Sequence, residues 1–124
     1  MTTSIFDGLS PADVTRIRSA GTTLTLPQGW SPISEQTPAD KAYIIEQGEV
    51  SVRRRGEEVA VLGPGQIIGE AAILNRSLRS ASVVSLTPLR VIHFTGEALE
   101  RLVDQVPAFG EAVRAATAER QGQS

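Results

Sequence analysis

The sequence predicts a mostly β fold: an eight-stranded, jelly-roll-like β-roll with a short N-terminal helix, a one-turn helix inside the roll and two C-terminal helices. Three observations predict it. Short β-branched runs alternate with Gly/Pro turns from Thr22 to Phe94. One Ala-rich stretch interrupts that alternation. Helical periodicity holds on both sides of the roll. The 124 residues (13.2 kDa) suit a single core. With no repeat or linker visible, the chain divides as an N-terminal helical segment (1–21), a roll (22–94), C-terminal helices (95–120) and a disordered tail (121–124).

The first helix is set by Ser10 as N-cap, Pro11 at the first helical position and Asp13 three residues after the cap. Leu9 and Val14 stand where a hydrophobic staple would fix the helix start, and Gly21 marks the end. Eight strands follow: Thr22–Leu26, Trp30–Ser34, Lys41–Glu46, Val50–Arg54, Glu58–Leu62, Ile67–Ile68, Ala81–Ser85 and Arg90–Phe94. Arg55-Gly56 is a hairpin tip, because Gly accepts the positive φ such turns require. Thr95 caps the next helix, with Ala98, Leu99, Leu102, Val103 and Val106 on one stripe. Pro107 opens the last, with Phe109, Ala112, Val113 and Ala116 on one face; Phe109, Val113 and Ala116 are a candidate partner surface. Trp30 is expected to cap the core near a turn, and His93 to be a half-buried strand residue.

Composition narrows the function. The chain is 40% apolar and 21% charged, a globular composition with no apolar run of membrane-spanning length. It has no Cys and one His, which excludes thiolate chemistry, disulfides and Cys- or multi-His metal sites. The net charge of -2 argues against nucleic acid as partner. The start MTTSIFDGLSPAD lacks a basic region followed by an apolar one, so a cytoplasmic location is expected, with no membrane partner. No nucleophile–base pair, GxSxG or P-loop points to an enzyme.

The chemistry concentrates where the strands break, at Ile67 to Ser82. A strand ends at Gly69, and a stretch good for about one helical turn follows, too short to be stable alone. A helix start offers free N–H groups to an anion. Gly69, Ala71 and Ala72 allow close approach to the backbone. Arg79 brings a guanidinium fork suited to phosphate oxygens, and Ser80 a hydroxyl donor. Glu70 is an acceptor in the same place, and a sugar hydroxyl is its natural donor. Together these describe a pocket for a sugar phosphate. Arg53-Arg54-Arg55 reads instead as a solvated hairpin tip, alternating in face and followed by Glu57-Glu58.

Gly69-Glu70-x-Ala72-Ile73 followed by Arg79-Ser80-Ala81-Ser82-Val83 resembles the phosphate-binding cassette of the cyclic nucleotide-binding domain family. The resemblance extends to the Leu9-Ser10 helix, the Tyr43-Ile44-Ile45-x-x-Gly48 strand end, the Gly63-Pro64-Gly65 turn and the closing helices. It implies that Arg79 pairs with the phosphate, that N–H groups near Ala72 and Ser80 complete the cradle, and that Glu70 holds the ribose 2′-hydroxyl. It implies that Val52, Val59 and Ala60, with Ala71, line the base, and that Ala81 belongs to the cassette. The implied function is a non-catalytic sensor with no cofactor, binding cAMP or else cyclic GMP and signalling by C-terminal helix movement to an effector protein or homodimer mate. The alternative is an interaction module of the same fold that no longer binds nucleotide. No helix-turn-helix follows the roll, so the chain resembles a stand-alone member; eleven Arg against one Lys suggests a bacterial one.

Overall fold

The computed structural model describes residues 4–121. Helix α1 (Pro11–Ala20) begins as the sequence predicts: Ser10 Oγ accepts from the Asp13 N–H, and Pro11 occupies the first turn. The strands are β1 (Thr22–Leu26), β2 (Lys41–Gln47), β3 (Val50–Arg54), β4 (Glu57–Leu62), β5 (Ile67–Ile68), β6 (Ser82–Ser85) and β7 (Leu89–Thr95). The helices after α1 are α2 (Glu70–Leu74), α3 (Gly96–Gln105) and α4 (Pro107–Gln121). All strand pairing is antiparallel, in two sheets of order β1-β7-β2-β5 and β4-β3-β6.

Strand β2 is buried on both faces, and this explains why it reads as a nearly continuous apolar run. Ala42 and Ile44 face the helices, in a cluster with Ile17, Phe94, Leu99, Phe109 and Val113. Tyr43 and Ile45 face the other way, into the roll, against Val50, Leu62, Val83 and Val91. Strand pairing and helix docking therefore depend on one another through β2.

Four expectations are corrected. Trp30–Ser34 forms no strand; it contributes one isolated bridge, Ile33 with Val83. Pro32 has no N–H to give a ladder, and side-chain hydroxyls replace it. Ser31 Oγ donates to the carbonyls of Ile33 and Val83, and Ser85 Oγ accepts from the Trp30 N–H. Trp30 itself is 52% exposed and caps nothing. Phe109 and Val113 are fully buried in the chain's own core, so that stripe is not a partner surface. Helix α4 runs through Gln121, one residue into the expected tail; the rest of that tail, 122–124, lies outside the described residues.

Candidate functional site

Helix α2 has five residues and survives because its surroundings hold it. Gly69 precedes it with φ 85°, the left-handed region that favours glycine. A Cβ there would stand 2.9 Å from the Arg79 guanidinium, from Ile33 Cδ1 and from the Lys41 carbonyl oxygen. The turn after α2 closes on the helix itself, with the Asn75 N–H donating to the Ala71 carbonyl and the Ser77 N–H to the Ala72 carbonyl. Arg79 is then fixed at its backbone: its N–H donates to Thr37 O and its carbonyl accepts from the Gln36 N–H.

The Arg79 side chain is buried, 5% exposed, and points back to the start of α2. Nη1 donates to Gly69 O at 2.6 Å and Nη2 to Lys41 O at 2.5 Å. Burial pushes its pKa down, while Asp40, Tyr43 and Glu70 act in the opposite sense; an arginine stays charged regardless. Among the described residues no carboxylate lies within ion-pair distance of it. Burial likewise raises the Tyr43 phenol, an effect that Arg79 reduces. Burial, and then Lys41, lower His93, whose ring lies 5.4 Å from that of Tyr43 on the half-buried face the sequence predicts.

Glu70 is buried, 1% exposed, and its Oε2 accepts from Thr117 Oγ1 on α4 at 2.8 Å. The last helix is thereby joined to the first residue of α2. Between α2, the Arg79 loop, β3 and β6 lies a cavity of about 250 Å³. That is close to the ~300–1,000 Å³ usual for small-molecule pockets, and the cavity is open to solvent on one side.

Of the residues singled out from sequence, Gly69, Glu70, Ala71, Ala72, Arg79, Ser80, Ala81 and Val52 all line this cavity. Val59 and Ala60 do not. A register shift after Val52 opposes Ala60 to Val52 and then Glu58 to Arg53, leaving Val59 as the extra, bulged residue. Val59 is accordingly 43% exposed. Eight lining residues lie outside that set: Ile33, Arg54, Ile68, Asn75, Ser77, Leu78, Val83 and Thr117. Val52 and Arg54 are two apart on one strand, so alternation alone puts them on one face. Thr117 lies four residues beyond Val113, on the stripe already recognised on α4.

Among the described residues no cluster of His, Cys, Asp or Glu could hold a metal, and no helix is long and apolar enough to cross a membrane.

The family model for the cyclic nucleotide-binding domain matches residues 23–106. A CRP-like cAMP-activated global transcriptional regulator of Mycobacterium tuberculosis is 26% identical over 121 residues, covering 94% of this chain and 54% of the relative. A cAMP-dependent protein kinase regulatory subunit of Yarrowia lipolytica is 32% identical over 104 residues, covering 82% and 28%. The chain thus spans about half the first of these relatives and about a quarter of the second. Among solved structures, the catabolite activator protein of Thermus thermophilus superposes with TM-score 0.85 at 26% identity, covering 98% of this chain and 59% of that one. A cyclic nucleotide-binding domain from Methylobacillus flagellatus gives 0.78 at 27% identity, with 95% and 72% covered.

Proposed function

This chain belongs to the cyclic nucleotide-binding domain family, and on that premise we propose that its cavity binds a cyclic purine nucleotide, cAMP first, as a sensor rather than an enzyme. The observation that carries the reading is Arg79: a buried guanidinium with no acid in ion-pair distance among the described residues, beside a buried carboxylate. A surface arginine paired with a neighbouring acid would look different on both counts. An arriving cyclic phosphate brings one negative charge to that guanidinium and to the backbone of the α2 start. The ribose 2′-hydroxyl, left free by the cyclic phosphate, donates to Glu70. Gly69, Ala71 and Ala72 leave room for the sugar phosphate, Ser80 adds a donor, and Val52 offers an apolar wall to the base. The names of the relatives favour cAMP as the first ligand to try.

The test is thermal unfolding with cAMP, cyclic GMP or 5′-AMP. A cyclic nucleotide at a hundred times its dissociation constant adds about 2.7 kcal/mol of stability and raises the midpoint. Unmoved midpoints with both cyclic nucleotides, or an equal shift with 5′-AMP, count against the reading.

Signalling follows from the Thr117–Glu70 hydrogen bond. The carboxylate that would receive the ribose is the one that holds α4, so ligand occupancy and helix position bias one another. An effector or a second copy would detect the position of α4. Thr117→Val keeps the side-chain size and removes the donor. It is expected to speed amide exchange in the last turns of α4 and to shrink the change that cAMP causes there. The same cAMP-induced change in both proteins would mean that the helix is not linked to the site through Glu70.

A further inference from the structure

Arg54 has no part in the reading above, yet its side chain lines the cavity. It shares the inward face of β3 with Val52, and the β3–β6 register, Val52 to Val83 and Arg53 to Ser82, carries Arg54 alongside Ala81. Its Nε is excluded from solvent and has no hydrogen-bond partner among the described residues. No carboxylate among those residues lies within ion-pair distance of it. Its neighbours in sequence are differently engaged: Arg53 Nε donates to Ser51 Oγ, and the Arg55 N–H donates to Glu35. A buried N–H without an acceptor is costly, and the residue that carries it lines a cavity that a ligand is to fill.

We propose that Arg54 is a specificity-determining residue that reads the acceptor edge of the ligand's base, which rests on the reading of this cavity as a cyclic nucleotide site. A guanidinium has only donors, so its partner must present acceptors. Guanine presents O6 and N7 side by side, and arginine meets that pair with two bonds. Adenine places an amino donor where guanine has O6, which opposes a guanidinium. The phosphate has its own guanidinium in Arg79, which reaches back to the α2 start. Arg54 stands instead on the strand wall beside Val52, the expected neighbour of the base. It therefore raises affinity for guanine relative to adenine, whichever of the two binds more tightly overall.

The experiment is calorimetric titration of the wild type, Arg54→Leu and Arg54→Gln with cAMP, cyclic GMP and cyclic IMP, with circular dichroism verifying that each variant is folded. Cyclic IMP keeps O6 and N7 but lacks the guanine amino group. Arg54→Leu is expected to weaken cyclic GMP relative to cAMP by about 5- to 150-fold, the discrimination one bidentate pair provides. Arg54→Gln, which can meet N6 and N7 of adenine, should move the ratio the same way and guards against a misfolded leucine variant. Cyclic IMP should follow cyclic GMP in every protein. An unchanged ratio in both variants overturns the inference while leaving the cyclic nucleotide site standing. Cyclic IMP behaving like cAMP also overturns it, assigning discrimination to the amino group and so to a residue such as Ser80. Failure of the wild type to bind any of the three overturns the underlying reading and the inference with it.

Discussion

Arg79→Ala is expected to weaken cAMP binding by ~2–5 kcal/mol, the cost of truncating one partner of a buried charge pair, which is about thirty- to several-thousand-fold. Arg76→Ala is expected to change it far less. Both arginines follow α2, but Arg76 is exposed on the turn whereas Arg79 is buried against Gly69 and Lys41. Equal effects of the two substitutions would mean that the phosphate has been misplaced. The alanine variant has a second expected effect. It leaves the carbonyls of Gly69 and Lys41 without their donors, at ~1–3 kcal/mol for each acceptor that stays buried. Unfolding must therefore be measured alongside binding. Arg79→Lys separates the two effects: it restores the charge but not the planar fork that reaches both carbonyls. It should remain folded better than the alanine variant while still binding poorly.

Gly69→Ala is expected to be the most damaging single-carbon change in the site. The backbone there has φ 85°, and an alanine held in that region costs ~1–2 kcal/mol by itself. The added Cβ also meets three atoms at 2.9 Å: the tip of Arg79, the end of Ile33 and the backbone oxygen of Lys41. The side chains can yield, but Lys41 O belongs to the first residue of β2 and cannot move without the sheet. Something has to shift, and a shift of the Arg79 tip breaks its bonds to Gly69 and Lys41. The expected result is a lower unfolding midpoint together with loss of most cAMP binding. A variant that binds cAMP as the wild type does would show that the close approach of Gly69 to Arg79 is not needed for recognition.

Most of the fold was legible because the signals were local. Period two and the Gly/Pro turns place β3 and β5 at the residues where they occur, and Ser10-Pro11 and Thr95 mark real helix starts. The candidate site was legible in part because Gly69 to Ala72 and Arg79 to Ala81, which line one cavity, are close in sequence. What could not be read depends on distant partners. Trp30–Ser34 has strand-like residues, but it meets β6 only through the carbonyls of Trp30 and Ile33, with the Ser31 and Ser85 hydroxyls bonding between them around Pro32. The bulge that turns Val59 outward arises in the pairing of β3 with β4, which no single strand reveals. Thr117 meets Glu70 across 47 positions of sequence. Arg54 is different: alternation with Val52 signals its inward face, but a hairpin tip followed by Glu57-Glu58 is an ordinary place for solvated arginines.

Arg79 and the α2 start are proposed to receive the phosphate of a cyclic nucleotide. The most direct measurement is a calorimetric titration of cAMP into the wild type and into Arg79→Ala. The expected result is saturable one-to-one binding by the wild type that weakens at least about thirtyfold in the variant. No heat from the wild type at millimolar cAMP and cyclic GMP, or equal affinity in the two proteins, would contradict it.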